Sequence, residues 1–233
     1  MSRRFRFTRV EEEFMLNLFW IGFSSFLAAL SGAIVPGPVF ALVLTESLKS
    51  GKITGPLIVL GHLLIEGAII LLVFIGLQPV LQSREVMMIA GYIGGAALML
   101  IGLKLILDSL RVKIKDSLNV EGIAGRGKTP IYKLVFLGFL ASCSNPYFFL
   151  WWLATGLPIM VSSISIAGVS GFLSFLIGHA AADLSWFSFV SYSVHESRKI
   201  MGERTLQIIL LCSSVFLISF AAYIVFSAAF LGR

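Results

Sequence analysis

Ile53-Thr-Gly-Pro-Leu-Ile-Val-Leu-Gly61-His62-Leu-Leu-Ile-Glu66-Gly-Ala-Ile-Ile-Leu-Leu-Val-Phe-Ile-Gly-Leu77 is a run of 25 residues with one carboxylate and one imidazole in it. A helix crosses a hydrocarbon core in about 20 apolar residues, so this stretch reads as a membrane span. Working outward, five more runs have the same character: Phe14–Val35 (continuing past a break to Leu48), Val86–Leu107, Ile131–Leu157, Ile164–Val194 and Leu206–Leu231. The composition agrees. Of 233 residues 58% are hydrophobic and 13% charged, against roughly 25% charged in a soluble domain, and the mean hydropathy is +0.95. Backbone groups at membrane depth must pair internally, and the alternating pattern of a barrel is absent. The expected fold is all-α: a polytopic membrane protein of six transmembrane helices.

The net charge is +6. In a membrane chain such an excess is expected at the cytoplasmic lipid surface, and nucleic-acid binding is not expected. The loops after the first, third and fifth spans carry Lys49 and Lys52, then a basic group from Lys104 to Lys133, then Arg198, Lys199 and Arg204. The positive-inside rule puts these loops in the cytoplasm and both termini outside. Arg3, Arg4, Arg6 and Arg9 in the tail argue the other way. The apolar run from Phe14 is too long for a signal-peptide core, so cleavage is not expected. Residues 1–13 read as a basic and acidic tail, 14–107 as a first three-helix repeat, 108–130 as a basic cytoplasmic loop and 131–233 as a second repeat. Within that loop, Gly122-Ile-Ala-Gly-Arg-Gly-Lys-Thr129 fits the phosphate-cradling pattern G-x-x-x-x-G-K-[ST]. The pattern needs a strand before it and a nucleotide-binding domain around it. Here Pro130 and a membrane span follow at once, so a Gly/Lys linker near lipid headgroups is the reading.

The repeat rests on two motifs. Gly61-His62-Leu-Leu-Ile-Glu66 in the second span and Gly178-His179-Ala-Ala-Ala-Asp183 in the fifth both fit G-H-x-x-x-[DE]. Each follows a span interrupted by proline, Pro36-Gly37-Pro38 in the first and Asn145-Pro146 in the fourth. Three spans per copy is an odd number, so the two copies must lie in opposite orientations. Inverted repeats with broken helices and a site near the midplane are a transporter layout. Two prolines cannot donate to the helical ladder, and freed backbone is tolerated at depth only against protein or a wet cavity. Pro36, Gly37, Pro38, Asn145 and Pro146 are therefore candidate substrate-binding positions.

His62 and Glu66 share a helix face, as do His179 and Asp183, because residues four apart are neighbours. A charged acid at a helix centre costs roughly 2.5–3.5 kcal/mol on insertion scales. Two readings stand: each histidine bonds its own acid and locks two helices together, or the pairs handle substrate or protons. His62, Glu66, His179 and Asp183 are candidate ion-coupling residues on the second. Glu46, beside Ser47 and Lys49, reads as a solvated acid at the membrane edge. Gly91-x-x-x-Gly95, Gly168, Gly171 and Gly178 read as close-packing positions. Trp151, Trp152 and Trp186 read as interfacial belts. Cys143 and Cys212, both in apolar runs, read as buried free thiols with no metal spacing.

Together these residues resemble the lysine-exporter superfamily, the LysE/RhtB-type translocators. The likeness is carried by Pro36-Gly37-Pro38, by Gly51, Gly55, Gly61 and Gly67, by Gly94-Gly95-Ala-Ala-Leu-Met-Leu-Ile-Gly102-Leu-Lys104, and by Phe136-Leu-Gly138-Phe-Leu-Ala-Ser-Cys-Ser-Asn145-Pro146. It runs along nearly the whole chain from Phe14. The Gly-His-x-x-x-acid pairs are not part of the general family pattern. The resemblance implies a non-enzymatic exporter of amino acids or related small metabolites in the cytoplasmic membrane, driven by protons. Its partners would be a small-molecule substrate, protons and membrane lipid, with no cofactor and no resident metal; homo-oligomerisation stays open. One alternative is a divalent metal-ion exporter, since two histidines and two acids could supply four ligands. Another is a membrane thiol–disulfide carrier, for which Cys143 lacks a partner: aligning Pro146 with Pro36 sets it opposite Ala33.

Overall fold

The computed structural model describes residues 2–35, 37–76, 84–114, 128–197 and 203–231. Among these residues the chain is helical, with no strand. The helices are α1 (Ser2–Ala33), α2 (Pro38–Ser50), α3 (Thr54–Phe74), α4 (Arg84–Ile114), α5 (Ile131–Cys143), α6 (Pro146–Trp151), α7 (Leu157–Ser197) and α8 (Glu203–Leu231). A π-helical turn at Trp152–Gly156 joins α6 to α7. Among the described residues, four helical segments are long and apolar enough to cross a membrane: Glu11–Ala33, Thr54–Phe74, Tyr147–Ser197 and Gln207–Phe230. Gly91–Leu107 and Ile131–Cys143 are shorter apolar helices. Large apolar side chains face outward, with Leu64 61% and Ile177 70% exposed. Such an exterior is costly in water and suits lipid. The chain is a multi-pass membrane protein.

Several boundaries differ from those expected. Helix α1 begins at Ser2, so the residues read as a tail continue the first helix. Helix α4 runs to Ile114, well into the segment read as a loop. Of that loop's phosphate-cradle pattern only Lys128 and Thr129 fall among the described residues. The fourth expected span is interrupted after Cys143, and the fourth and fifth runs do not part near Pro158. Helix α7 carries through residues 158–163 and breaks instead at Ala167 and Gly168, where Gly168 takes φ +59°. A Cβ at Gly171 would strike the Ser163 carbonyl. Eight residues along a straight helix are about 12 Å apart, so the chain turns back on itself here. Gly168 is thus a turn residue, with nothing packed on it.

The described chain forms two compact units. The first comprises residues 1–35 and 149–186. In it α1 meets α7 where Gly178 lies against the Gly22 carbonyl, leaving no room for a Cβ. Ser25 Oγ donates to Phe175 O at 2.8 Å and Ser174 Oγ to Leu18 O at 2.6 Å.

The second unit comprises residues 36–148 and 187–233. Its apolar core draws Ala41 and Leu48 from α2, Leu98 and Leu105 from α4, and Leu217, Ala221 and Ile224 from α8. Gly91 and Gly95 of α4 sit against Ala228, Val225 and the Ala221 carbonyl of α8, as their spacing predicts. Helices α3 and α5 cross backbone to backbone: Gly61 abuts the Val135 carbonyl and Gly138 the Ile58 carbonyl. Ser191 ties the α2–α3 turn to the end of α7. It donates to Lys52 O at 2.9 Å and accepts from Ser47 Oγ at 2.9 Å and Gly55 N at 3.1 Å.

Candidate functional site

Both expected breaks exist in the backbone. Helix α1 ends at Ala33, and Val35 N reaches back to Gly32 O at 3.3 Å. Pro36 lies outside the described residues. Gly37 is extended (φ −142°, ψ −176°) and caps α2, its carbonyl accepting from Ala41 N. Pro38 takes the first helical position, where a missing N–H costs nothing. The second break is capped from both sides. Ser144 ends α5, and Asn145 Oδ1 accepts from Tyr147 N at 3.1 Å. Pro146 opens α6. One lone pair of Asn145 Oδ1 is thereby engaged by its own helix, and the second, with the amide N–H groups, is its capacity toward a ligand.

In the second unit His62 and Glu66 make the expected contact, Nε2 to Oε1 at 3.2 Å. Glu66 is buried and His62 nearly so. The other ring nitrogen, Nδ1, lies 2.7 Å from Ser142 Oγ on α5, and the Phe148 ring closes edge-on at 5.1 Å. Ser142 Oγ itself donates to Gly138 O at 2.8 Å. The Ser142 hydroxyl thus has two partners within reach, the Gly138 carbonyl and His62 Nδ1, while His62 Nε2 faces the buried Glu66 carboxyl.

In the first unit His179 and Asp183 are also paired, Nε2 to Oδ2 at 3.5 Å, and both are almost fully buried. The His179 ring lies among Trp151 and Trp152, each with its centroid 5.3 Å away, and Phe175 at 5.7 Å. Trp152 is 1% exposed. Trp151 and Trp152 are thus walls around His179, not interfacial anchors. The signal missed in the sequence is their place five and six residues after Pro146, where α6 passes into the π-helical turn.

Two further expectations are corrected. Glu46 is buried, not solvated: its Oε1 lies 3.6 Å from Lys49 Nζ and its Oε2 accepts from Thr129 Oγ1 at 2.6 Å. Cys212 is exposed, while Cys143 is half-buried, and both are free thiols.

A buried His–acid pair beside a capped break in a membrane helix is an arrangement that suits a transporter. The LysE type translocator family model matches residues 30–228. The chain belongs to the LysE type translocator family. Members of this family are translocators. A similar relative is the Bacillus subtilis (strain 168) protein named "Putative amino acid efflux protein YcgF", 24% identical over 208 residues that cover 89% of this chain and 95% of the relative. No solved structure matches the chain. In this translocator, Ser142 of the Ser-Cys-Ser-Asn-Pro segment is the residue that joins the proline break to the His62–Glu66 pair.

Proposed function

We propose that this LysE-family protein exports amino acids or related small metabolites across the cytoplasmic membrane in exchange for protons. The observation that carries the reading is the buried His62–Glu66 contact, Nε2 to Oε1 at 3.2 Å, with Nδ1 2.7 Å from Ser142 Oγ. A carboxyl group that holds a proton cannot also bind a substrate ammonium. Loading from outside would release substrate, and loss of the proton inside would restore the carboxylate for the next substrate. Mutual exclusion on one carboxyl is sufficient for antiport. Asp183, with His179 in its aromatic enclosure, would play the matching part.

The family assignment and the relative's name support amino acids as substrate class. The backbone freed at Pro36-Gly37-Pro38 and the Asn145 amide would receive the substrate's carboxylate and polar groups. The repeated motif supports an architecture of six spans in two inverted sets of three, residues 14–107 and 131–233, with the basic loops in the cytoplasm.

The test is transport by protein reconstituted in liposomes. A proton gradient should drive efflux of at least one amino acid. Glu66→Gln should lose substrate counterflow and gradient-driven efflux together, because the amide N–H imitates the proton-loaded state that excludes the substrate ammonium. Equal gradient-driven efflux by wild type and Glu66→Gln would overturn proton coupling at this site. Gradient-driven movement of zinc or cadmium without any amino acid would overturn the substrate class in favour of metal export.

A further inference from the structure

Away from the His–acid pairs, the second unit holds a cavity of about 330 Å³ lined by Lys49, Ser50, Gly51, Lys52, Ile53, Lys128 and His195. Three lysines and an imidazole converge there. Glu46 compensates Lys49 and accepts from Thr129. Among the described residues no ion pair engages Lys52 or Lys128, and both are exposed.

The frame around these charges is fixed. Gly51 adopts φ +91°, a conformation that favours glycine, and faces the His195 ring: a Cβ would lie 3.4 Å from Cε1. Buried Ser191 pins the same turn through Lys52 O and Gly55 N. Ser50 Oγ accepts from Thr129 N at 3.0 Å, which holds the Lys128 segment to α2 and keeps the serine's own proton for donation. Ile53 in the lining is 57% exposed, and Ile131, three residues after Lys128, is 66% exposed, so apolar surface follows the lysines along the chain.

We propose that this cavity binds a phosphate-type oxyanion, held by Lys52 and Lys128 with Ser50 as hydroxyl donor. Two lysines without carboxylate partners and a positioned hydroxyl match the charge and the several acceptor oxygens of a phosphate. The adjoining apolar surface would let that phosphate be a lipid headgroup. A soluble phosphate offers the same oxygens.

The experiment uses the purified full-length protein and reads its melting temperature and its ligand-bound mass. Four additions are compared: phosphatidylglycerol, phosphatidylcholine, inorganic phosphate and glycerol phosphate. The two exposed lysines are changed together, Lys52→Gln with Lys128→Gln. Lys104→Gln with Arg204→Gln, which are exposed basic residues outside the cavity, serves as the control for general charge. The site is supported if phosphatidylglycerol or the soluble phosphates stabilise wild type and control alike while the Lys52/Lys128 variant loses most of the effect. A response to phosphatidylglycerol alone identifies lipid as the source; an equal response to the soluble anions identifies a free phosphate. Stabilisation that survives in the Lys52/Lys128 variant, or an absent response to every phosphate, overturns it.

Discussion

His62 Nδ1 and Ser142 Oγ lie 2.7 Å apart although the two residues are 80 positions apart in the chain. The contact exists because Gly61 and Gly138 let the backbones of α3 and α5 touch. The contact ties the imidazole on α3 to the end of α5, next to the break at Asn145-Pro146.

Removing the hydroxyl should therefore change transport more than folding. In Ser142→Ala the imidazole loses its partner across the helix crossing and can turn away from Glu66. Gradient-driven efflux should fall by on the order of tenfold, about 1.4 kcal/mol, with the melting temperature little changed. Ser142→Thr keeps the hydroxyl and should track wild type. Unchanged efflux in Ser142→Ala would remove the serine from the transport pathway.

The α3–α5 crossing is where a single methyl does most harm. A Cβ at Gly61 meets the Val135 carbonyl and one at Gly138 meets the Ile58 carbonyl, neither of which is a flexible side-chain tip. Gly61→Ala or Gly138→Ala should each cost about 1–3 kcal/mol, the usual scale of overpacking, visible as a lowered melting temperature. Gly67→Ala, with open space at the corresponding point, should melt like wild type.

At Gly168 the issue is conformation and not space. With φ +59°, ψ −137° and nothing near its missing Cβ, Gly168→Val should destabilise through backbone strain of about 1–3 kcal/mol. Gly168→Asn should lose a similar amount, because that ψ lies outside the left-handed helical region that asparagine tolerates. Thermal melting of the two variants beside wild type checks this.

Cys143 and Cys212 are both free thiols, one half-buried and one exposed. Export by the proposed route uses neither. The double change Cys143→Ser with Cys212→Ser should retain efflux within roughly twofold, a change worth under 1 kcal/mol. Loss of transport on removing the thiols, restored by cysteine at 143 alone, would revive thiol–disulfide chemistry.

The sequence by itself was enough to place the chain in a membrane, to make it helical, and to locate the breaks before Pro38 and Pro146. These follow from local rules: apolar runs need lipid, buried backbone needs internal partners, and proline stops the helical ladder where it stands. The His62–Glu66 and His179–Asp183 contacts were legible for the same reason, since a spacing of four puts two side chains together on any helix. What local rules cannot carry is which helix meets which. Only the tertiary structure brought Ser142 to His62, closed Trp151, Trp152 and Phe175 around His179, buried Glu46 against Thr129, and gathered Lys52 and Lys128 around one cavity. It also separated glycines that look alike in sequence, making Gly171 and Gly178 points of close approach and Gly168 a turn. Packing between distant segments depends on complementary surfaces across the whole fold, and no periodicity within one span encodes it.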